Sequence, residues 1–217
     1  MFEPLRIRAY IQTPVISDQF LPLDSILYYH VVRERFGEQD CSMPGESTIR
    51  DDTGIRLPFA RENEGNHDWF YHCSFAQWAP DMREDQSAYC KRFDLKLAHL
   101  IDFQGKTGKI LLSGGRFKNY YIKIYYRAAT WVEWYALGEQ AEIARLLPFV
   151  THLGKKSAQG WGAVLRWEME PVAFDWSIRG QGGSLMRAVP LESGTFIYGI
   201  RPCYWEPIHQ LPCEMPV

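Results

Sequence analysis

Alternating apolar and polar residues predict a strand near the start of the chain. In the stretch LRIRAYIQ, residues 5–12, every second position is apolar, which is the period of a half-buried strand. The apolar positions are Leu5, Ile7, Ala9 and Ile11. The opposite face would carry Arg6, Arg8, Tyr10 and Gln12.

Two segments instead have the spacing of amphipathic helices. After the proline-marked turn TPVISDQFLPL, Asp24 or Ser25 can cap a helix that runs to about Phe36, with Gly37 just beyond its end. The second helix is predicted within EQAEIARLLPFV, residues 139–150. Its apolar stripe is Ile143, Leu146 and Leu147.

The remaining pattern divides the chain into a core, an insertion and a tail. Residues 119–128, 131–138 and 163–170 are predicted strands, whereas residues 37–109 form a long irregular insertion with short strand candidates at 55–60, 69–75 and 93–101. Residues 171–217 are rich in glycine and proline and are predicted to wrap over the body as a C-terminal tail.

This order predicts one α+β domain over residues 1–217, with its core at about 1–36 and 110–170. A ferredoxin-like, RNA-recognition-type β-α-β-β-α-β core meets the order, since two helices can cover one face of an antiparallel sheet. Cations interleaved with aromatic rings on the other face would suit single-stranded RNA. An exposed amphipathic face, or one packed beneath the insertion, is the alternative. The residues of this predicted face are Arg6, Arg8, Tyr10, Lys123, Tyr125 and Arg127.

The stretch HLGKKSAQGWGAV, residues 152–164, is a basic glycine-rich loop between the second helix and the last core strand. Its glycines can expose backbone N–H groups to an anion, its lysines supply charge, and its serine and glutamine supply neutral hydrogen-bond groups. A Walker loop is excluded, because that motif follows a strand and opens a helix. A tight turn with solvated lysines remains the alternative. The candidate phosphate-binding residues are Gly154, Lys155, Lys156, Ser157, Gln159, Gly160 and Gly162.

Composition adds few constraints. The net charge of −2 does not indicate a polyanion-binding protein as a whole, and the aromatic content of 15% suits a stacking surface, a β-rich core or a protein interface. No apolar run predicts a membrane span or export, and the scattered cysteines predict free thiols in the cytoplasm. No metal or other cofactor is expected, because the only dense ligand-type group matches no standard zinc spacing. That group is His67, His72 and Cys73, with Cys90 as a fourth member.

The helix followed by HLGKKSAQGWGAV resembles the C-terminal glycine-rich loop of the CRISPR-associated RAMP superfamily. The opening strand, the TPV turn and the helix LDSILYYHVV are similar to the start of the same superfamily. SLMRAVPL and GIRPCYWEP resemble the tail of the subunits that cap the guide-RNA handle in type IV effector complexes. The resemblance covers about residues 5–36 and 128–207 and leaves 37–118 unmatched.

The resemblance implies a binding subunit rather than an enzyme. Its partners would be the CRISPR guide RNA, gripped near the five-prime handle, the backbone and large subunits of an antiviral effector complex, and target DNA through that complex. The loop residues above match the family's RNA-contacting loop, and Trp161 stands where an aromatic is usual. Sister RAMP proteins cleave precursor CRISPR RNA without metal, usually with a histidine, so the alternative is an endoribonuclease with His30 as general acid or base. A protein scaffold without RNA contact is a third hypothesis.

Overall fold

The computed structural model describes residues 1–36, 54–103 and 108–216. The remainder of the predicted insertion, residues 37–53 and 104–107, lies outside the described residues. The helices are α1 (Leu23–Phe36) and α2 (Gln140–Leu146). The strands are β1 (Glu3–Ile11), β2 (Arg61–Glu62), β3 (Phe70–Tyr71), β4 (Gln77–Trp78), β5 (Arg83–Lys91), β6 (Tyr120–Ala128), β7 (Trp131–Gly138), β8 (Val164–Pro171), β9 (Val189–Pro190), β10 (Phe196–Gly199) and β11 (Gln210–Glu214).

The main sheet has four antiparallel strands in the order β4-β7-β1-β8. β1 lies in its interior, where Ile7 is opposite Trp134 of β7 and Met169 of β8. Leu5, Ile7 and Ala9 are fully buried, and the side chains between them face the other side of the sheet. This position explains the alternation of apolar and polar residues that predicts β1.

The buried face of the sheet packs against both helices. Leu23 and Leu27 of α1 and Ile143 and Leu146 of α2 join the same core as the central residues of β1 and β7. Trp134 is completely buried, and its indole N–H donates to the carbonyl of Leu21 at 2.8 Å. This bond satisfies the polar atom of the largest core side chain and connects the sheet to the turn before α1.

The structure corrects the position of the strand at residues 119–128. β6 pairs over nine residues with β5, in a separate two-stranded ribbon, and the edge of the main sheet beside β7 is β4. Pairing with β5 explains why the prediction failed: the polar sequence REDQSAYCK gives no apolar alternation, but it offers β6 a full-length hydrogen-bonding partner.

The middle of the chain differs from the prediction in two other respects. Residues 93–101 are not a strand, because Leu95–Leu100 form a 3-10 helix whose N-cap, Asp94, accepts a bond from the backbone N–H of Lys96. Part of the predicted insertion also packs into the main core through Leu57, Phe59 and Cys73. The isolated bridges from Phe59 to Gly138 and from Cys73 to Ala136 attach this segment to β7.

The C-terminal segment forms a second sheet, ordered β10-β11-β9, with its own small core around Phe70, Ala188 and Ile200. A buried cluster attaches it to α1. The hydroxyl of Tyr204 donates to both carboxylate oxygens of Asp24, at 2.8 and 2.9 Å, and the fully buried Arg187 lies 3.8 Å from the same carboxylate. Within the described ranges, no helix combines the length and apolar character needed to cross a membrane.

Candidate nucleic-acid interface

The glycine-rich loop is held against the turn that follows β1. Gly154 and Gly162 have positive φ angles of 76° and 72°. A Cβ atom at Gly154 would lie 2.2 Å from the carbonyl oxygen of Ile16, and one at Gly162 would lie 1.9 Å from that of Leu153. Both glycines are therefore required by close backbone approach within this chain as well as by conformation.

Hydrogen bonds fix the path of the loop. The backbone N–H of Lys155 donates to Ile16 at 2.6 Å, and that of Gly162 donates to Pro14 at 2.8 Å. The Thr13 hydroxyl donates to the carbonyl of Gly160 and accepts from the N–H of Ala163. These amides are already satisfied, so a phosphate would meet the outer part of the loop, Lys156–Gln159, rather than its two ends.

The outer part of the loop is exposed and basic. Lys156 itself has a left-handed backbone, with φ 63°, at the start of the short 3-10 turn Ser157–Gln159. Its ammonium group lies 5.9 Å from the ring centre of Tyr89. The ammonium group of Lys155 lies 2.8 Å from a carboxylate oxygen of Asp18, in a pair whose two side chains are 62% and 78% exposed. Such exposed pairs are weak, so a phosphate can compete with Asp18 for Lys155.

The loop contacts the ribbon formed by β5 and β6. The rings of Trp161 and Tyr126 lie 5.2 Å apart, and the half-buried Tyr126 and the exposed Tyr125 line a cleft of about 460 Å³ beside the turn after β1. Arg127 also lines this cleft, where it pairs with Glu84 at 2.8 Å. The loop thus meets β6 through Tyr126, on the face opposite Lys123 and Tyr125. Arg127 reaches the same region by donating to the carbonyl of Asp18, the residue that pairs with Lys155.

The open face of the main sheet carries paired charges. Arg6 is 2.8 Å from Glu170, and Arg8 donates two hydrogen bonds to Glu133. A third pair on this face joins Arg166 and Glu168 at 3.1 Å, and the Tyr10 hydroxyl also donates to Glu168. Each of the three arginines has a glutamate partner, so this face has little net charge to attract phosphate. Arg6, Arg8 and Tyr10 are therefore separated from Lys123, Tyr125 and Arg127 in both position and charge environment.

Comparison with known families identifies the chain. The family model of the CRISPR type IV associated protein Csf3 matches residues 3–216, which is nearly the whole sequence. The chain belongs to the Csf3 family. This family membership confirms the resemblance to type IV CRISPR subunits and shows that the chain is a CRISPR-associated protein.

Solved structures and curated proteins add less to this Csf3-family assignment. A chain in the cryo-EM structure of the type III-B Cmr-beta complex bound to cognate target RNA matches with a TM-score of 0.41 and 10% sequence identity. The match covers 78% of the Csf3-family chain and 61% of the Cmr-beta chain. No curated protein matches the sequence.

Two aromatic residues near the loop of this Csf3-family protein were missed by sequence reasoning. Tyr126 lies on the face of β6 opposite Tyr125, outside the predicted RNA-binding set, and its ring is the one that contacts Trp161. Tyr89 lies on β5, which has no alternating pattern, so nothing in the sequence indicated that it would approach Lys156. Recognition of the β5–β6 pairing would have been needed to find either residue.

His30 and His72 both contact other side chains of the chain. His30 lies on α1, where its ring meets Tyr29 edge-on at 5.2 Å, and burial followed by the nearby charge of Arg33 lowers its pKa. His72 lies between Glu62 and Asp175, at 2.8 and 3.1 Å. Burial works to lower the pKa of His72, but its hydrogen bonds with the two carboxylates raise it overall.

The predicted ligand-type group is dispersed in the structure. Cys73 is fully buried in the core, whereas Cys90 lies on the exposed strand β5. Over residues 1–36, 54–103 and 108–216, no group of three or more His, Cys, Asp or Glu side chains is placed to hold a metal ion.

Two glycines of the loop provide a matched stability test. Gly160→Ala places a Cβ in open space at φ 83°, whereas Gly162→Ala combines φ 72° with a Cβ overlapping the Leu153 carbonyl. We expect Gly160→Ala to lower the free energy of unfolding by about 1 kcal/mol and Gly162→Ala to lower it by about 3 kcal/mol or more. Chemical denaturation of the two variants measures the difference. Equal losses would contradict the close approach at Gly162.

Proposed function

We propose that this Csf3-family chain is a non-catalytic RNA-binding subunit of a type IV-like CRISPR effector complex, and that it grips the guide-RNA backbone near the five-prime handle. The observation that carries the proposal is the convergence of the basic loop and the aromatic ribbon at Trp161 and Tyr126, whose rings are 5.2 Å apart. Phosphate attraction and base stacking are the two components of sequence-tolerant single-strand binding, and both are available there.

Each part of the interface has a distinct role in this proposal. Lys155 and Lys156 provide the positive charge, and the exposed turn Ser157–Gln159 provides donors that do not depend on base identity. Trp161 and Tyr126, whose rings are in contact, offer ring surfaces for unstacked bases, and Tyr125, which is 65% exposed, offers a further ring on the other face of β6. Lys123, on the same face of β6 as Tyr125, is exposed and supplies a cation there. Glu84 and Asp85 line the same cleft, so the RNA backbone would follow the lysines rather than enter the cleft.

We also propose that the core has the ferredoxin-like arrangement. In chain order the elements of the main sheet and its helices are β1, α1, β4, β7, α2 and β8, which corresponds to β-α-β-β-α-β. The antiparallel order β4-β7-β1-β8 supports the proposal, as does the packing of both helices on one face. The partners in a cytoplasmic complex would be guide RNA, the backbone and large subunits, and target DNA through the complex.

Reconstitution of the effector complex with and without this chain tests the assignment. Chemical footprinting of the guide RNA is expected to show protection of the five-prime handle only when the chain is present. Replacing the chain with one carrying Trp161→Ala and Tyr125→Ala is expected to reduce that protection, because both variants remove ring surface. Identical footprints with and without the chain would contradict the proposal.

The non-catalytic assignment predicts that His30→Ala leaves guide processing unchanged. The ring of His30 is half-buried on α1, and an imidazole packed against a helix neighbour is poorly suited to reach a 2′-hydroxyl. The measurement is incubation of purified protein with end-labelled repeat RNA in the presence of a chelator. Specific cleavage by the unaltered protein that disappears in His30→Ala would instead establish the endoribonuclease.

A further inference from the structure

The outer edge of β8 is a free strand edge. β8 is the last strand of the main sheet, and β1 is its neighbour on one side. The N–H of Val172 donates to the carbonyl of Pro4 at 2.9 Å. This bond marks Val172 and Pro4 as a hydrogen-bonded pair, and such pairs alternate along an antiparallel ladder. The backbone N–H and C=O groups of Glu170 and Glu168 therefore point to β1, whereas those of Met169 and Trp167 point away from it. In the described part of the chain, no strand pairs with that side.

An apolar groove runs beside this edge on the helical side of the sheet. It has a volume of about 460 Å³. Trp167 and Met169 are only partly buried where they pack on the main core, and Leu165 is 66% exposed. The core of the domain is thus incompletely covered along β8. We call this feature the β8 groove; its lining includes Leu147, Val150, Leu165, Trp167 and Met169.

The charges near one end of the groove limit what can fill it. β8 ends at Pro171, which lies opposite Leu5, and the neighbouring hollow is lined by Glu3, Glu139 and Glu142. Glu142 pairs with Arg145 at 2.7 Å, whereas neither of the other two carboxylates has an ion-pair partner among the described residues. A basic residue in an occupant would therefore be favoured at this end.

Pro171 has no N–H, so backbone pairing would be confined to the part of β8 before it.

We propose that the β8 groove binds an extended segment of another protein subunit, which adds a strand to the edge of β8. Such a segment would have apolar side chains at alternate positions, facing the groove, and a basic residue near Glu3 and Glu139. Main-chain hydrogen bonds to Trp167 and Met169 would supply affinity, and the groove would supply selectivity. The inference goes beyond the proposed RNA contact and does not depend on it.

A second copy of this chain fits the same edge less well. The only cation on β8 is Arg166. Its guanidinium lies 3.5 Å from the ring centre of Tyr10 and 3.1 Å from Glu168. It is thus already held by its own sheet and cannot pair with the free carboxylates of a neighbouring copy without breaking those contacts.

Hydrogen exchange compares the isolated chain with the assembled effector complex. The amides of Trp167 and Met169 are expected to exchange at least about tenfold more slowly in the complex, because strand addition gives them acceptors. This protection should persist after the RNA of the complex is digested. Unchanged exchange would overturn the proposal, as would protection that is lost with the RNA. Protection in an isolated chain that sediments as a dimer would assign the edge to a second copy and would also overturn it.

A pair of variants at one position separates the backbone bond from the side chain. Met169→Pro and Met169→Ala both remove the thioether, but only proline removes the outward N–H while leaving the β1 ladder intact. Met169→Pro is expected to bind the rest of the complex with about tenfold lower affinity than Met169→Ala. This difference corresponds to the loss of one main-chain hydrogen bond. Equal incorporation of the two variants would overturn the proposal.

A crosslinking experiment remains decisive if the proline variant fails to fold. Benzoylphenylalanine replaces Leu165, whose side chain is 66% exposed at the groove. Irradiation of the assembled complex is expected to join it to an extended segment of another protein subunit. A crosslink to RNA alone, or none, would overturn the proposal while leaving the function assigned to the glycine-rich loop untouched.

Discussion

Asp24→Ala is expected to lower the free energy of unfolding by about 3–5 kcal/mol, because it leaves a buried charge without its counter-ion. Asp24 and Arg187 are both completely buried. Burial raises the pKa of the Asp24 carboxyl, and Arg187 and then Tyr204 oppose that rise. The guanidinium of Arg187 also donates to the carbonyls of Cys73 and Ile200, at 2.9 and 2.6 Å, so one cluster joins α1, the segment after β3 and the C-terminal segment.

A control on the same helix isolates the effect of burial. Glu34 pairs with Arg145 at 2.8 Å, but both side chains are exposed, and Glu34→Ala is expected to change stability little. Urea denaturation of the two variants provides the comparison. Limited proteolysis should additionally release the C-terminal segment from Asp24→Ala more readily, since Tyr204 loses its acceptor. A similar small loss in both variants would contradict the role assigned to the buried cluster.

Lys155→Ala combined with Lys156→Ala is expected to weaken guide-RNA binding by about tenfold or more near 0.15 M salt. Removing two phosphate contacts should also reduce the slope of log affinity against log salt by about 1.4, at about 0.7 for each contact to a single strand. Filter-binding titrations across a series of salt concentrations measure both quantities. The large effect follows from the position of both lysines on the exposed loop beside Trp161 and the ribbon.

Two further variants test the origin of this change. Arg56→Ala with Arg179→Ala removes the same total charge from exposed positions outside the loop, and is expected to leave the salt slope nearly unchanged. Asp18→Ala frees Lys155 from its 2.8 Å ion pair and is expected to strengthen RNA binding. Unchanged affinity in the double lysine variant, or an equal loss in the double arginine control, would contradict the assignment of the loop.

The sequence predicted the structure best in short segments that have one clear residue pattern. β1 was predictable because its alternating residues face a core on one side and polar partners on the other. The glycine-rich loop was predictable because Gly154 and Gly162 occupy backbone conformations that favour glycine, and because its two lysines are adjacent. In both cases the residues that determine the local conformation lie within a few positions of one another in the sequence.

The parts that could not be predicted depend on contacts between distant segments. The residue pattern of β6 is compatible with a place in the main sheet or in a separate ribbon. Its pairing with β5 places it in the ribbon, and the polar sequence of β5 has no strand period that would indicate this. The same choice moved Lys123, Tyr125 and Arg127 from the main sheet to the ribbon. Pairing of Arg6 and Arg8 with Glu170 and Glu133 was also invisible, since these glutamates are more than 120 residues away along the chain.

Photocrosslinking of the guide RNA within the assembled effector complex tests the central claim most directly. Guide RNA carrying 5-iodouridine in the five-prime handle would be irradiated, and the attached peptides would be identified by mass spectrometry. Adducts are expected on Trp161 of the basic loop and on Tyr126 of β6, because these two rings lie 5.2 Å apart beside the lysines. Handle adducts that occur only on other subunits, with none on this chain, would contradict it.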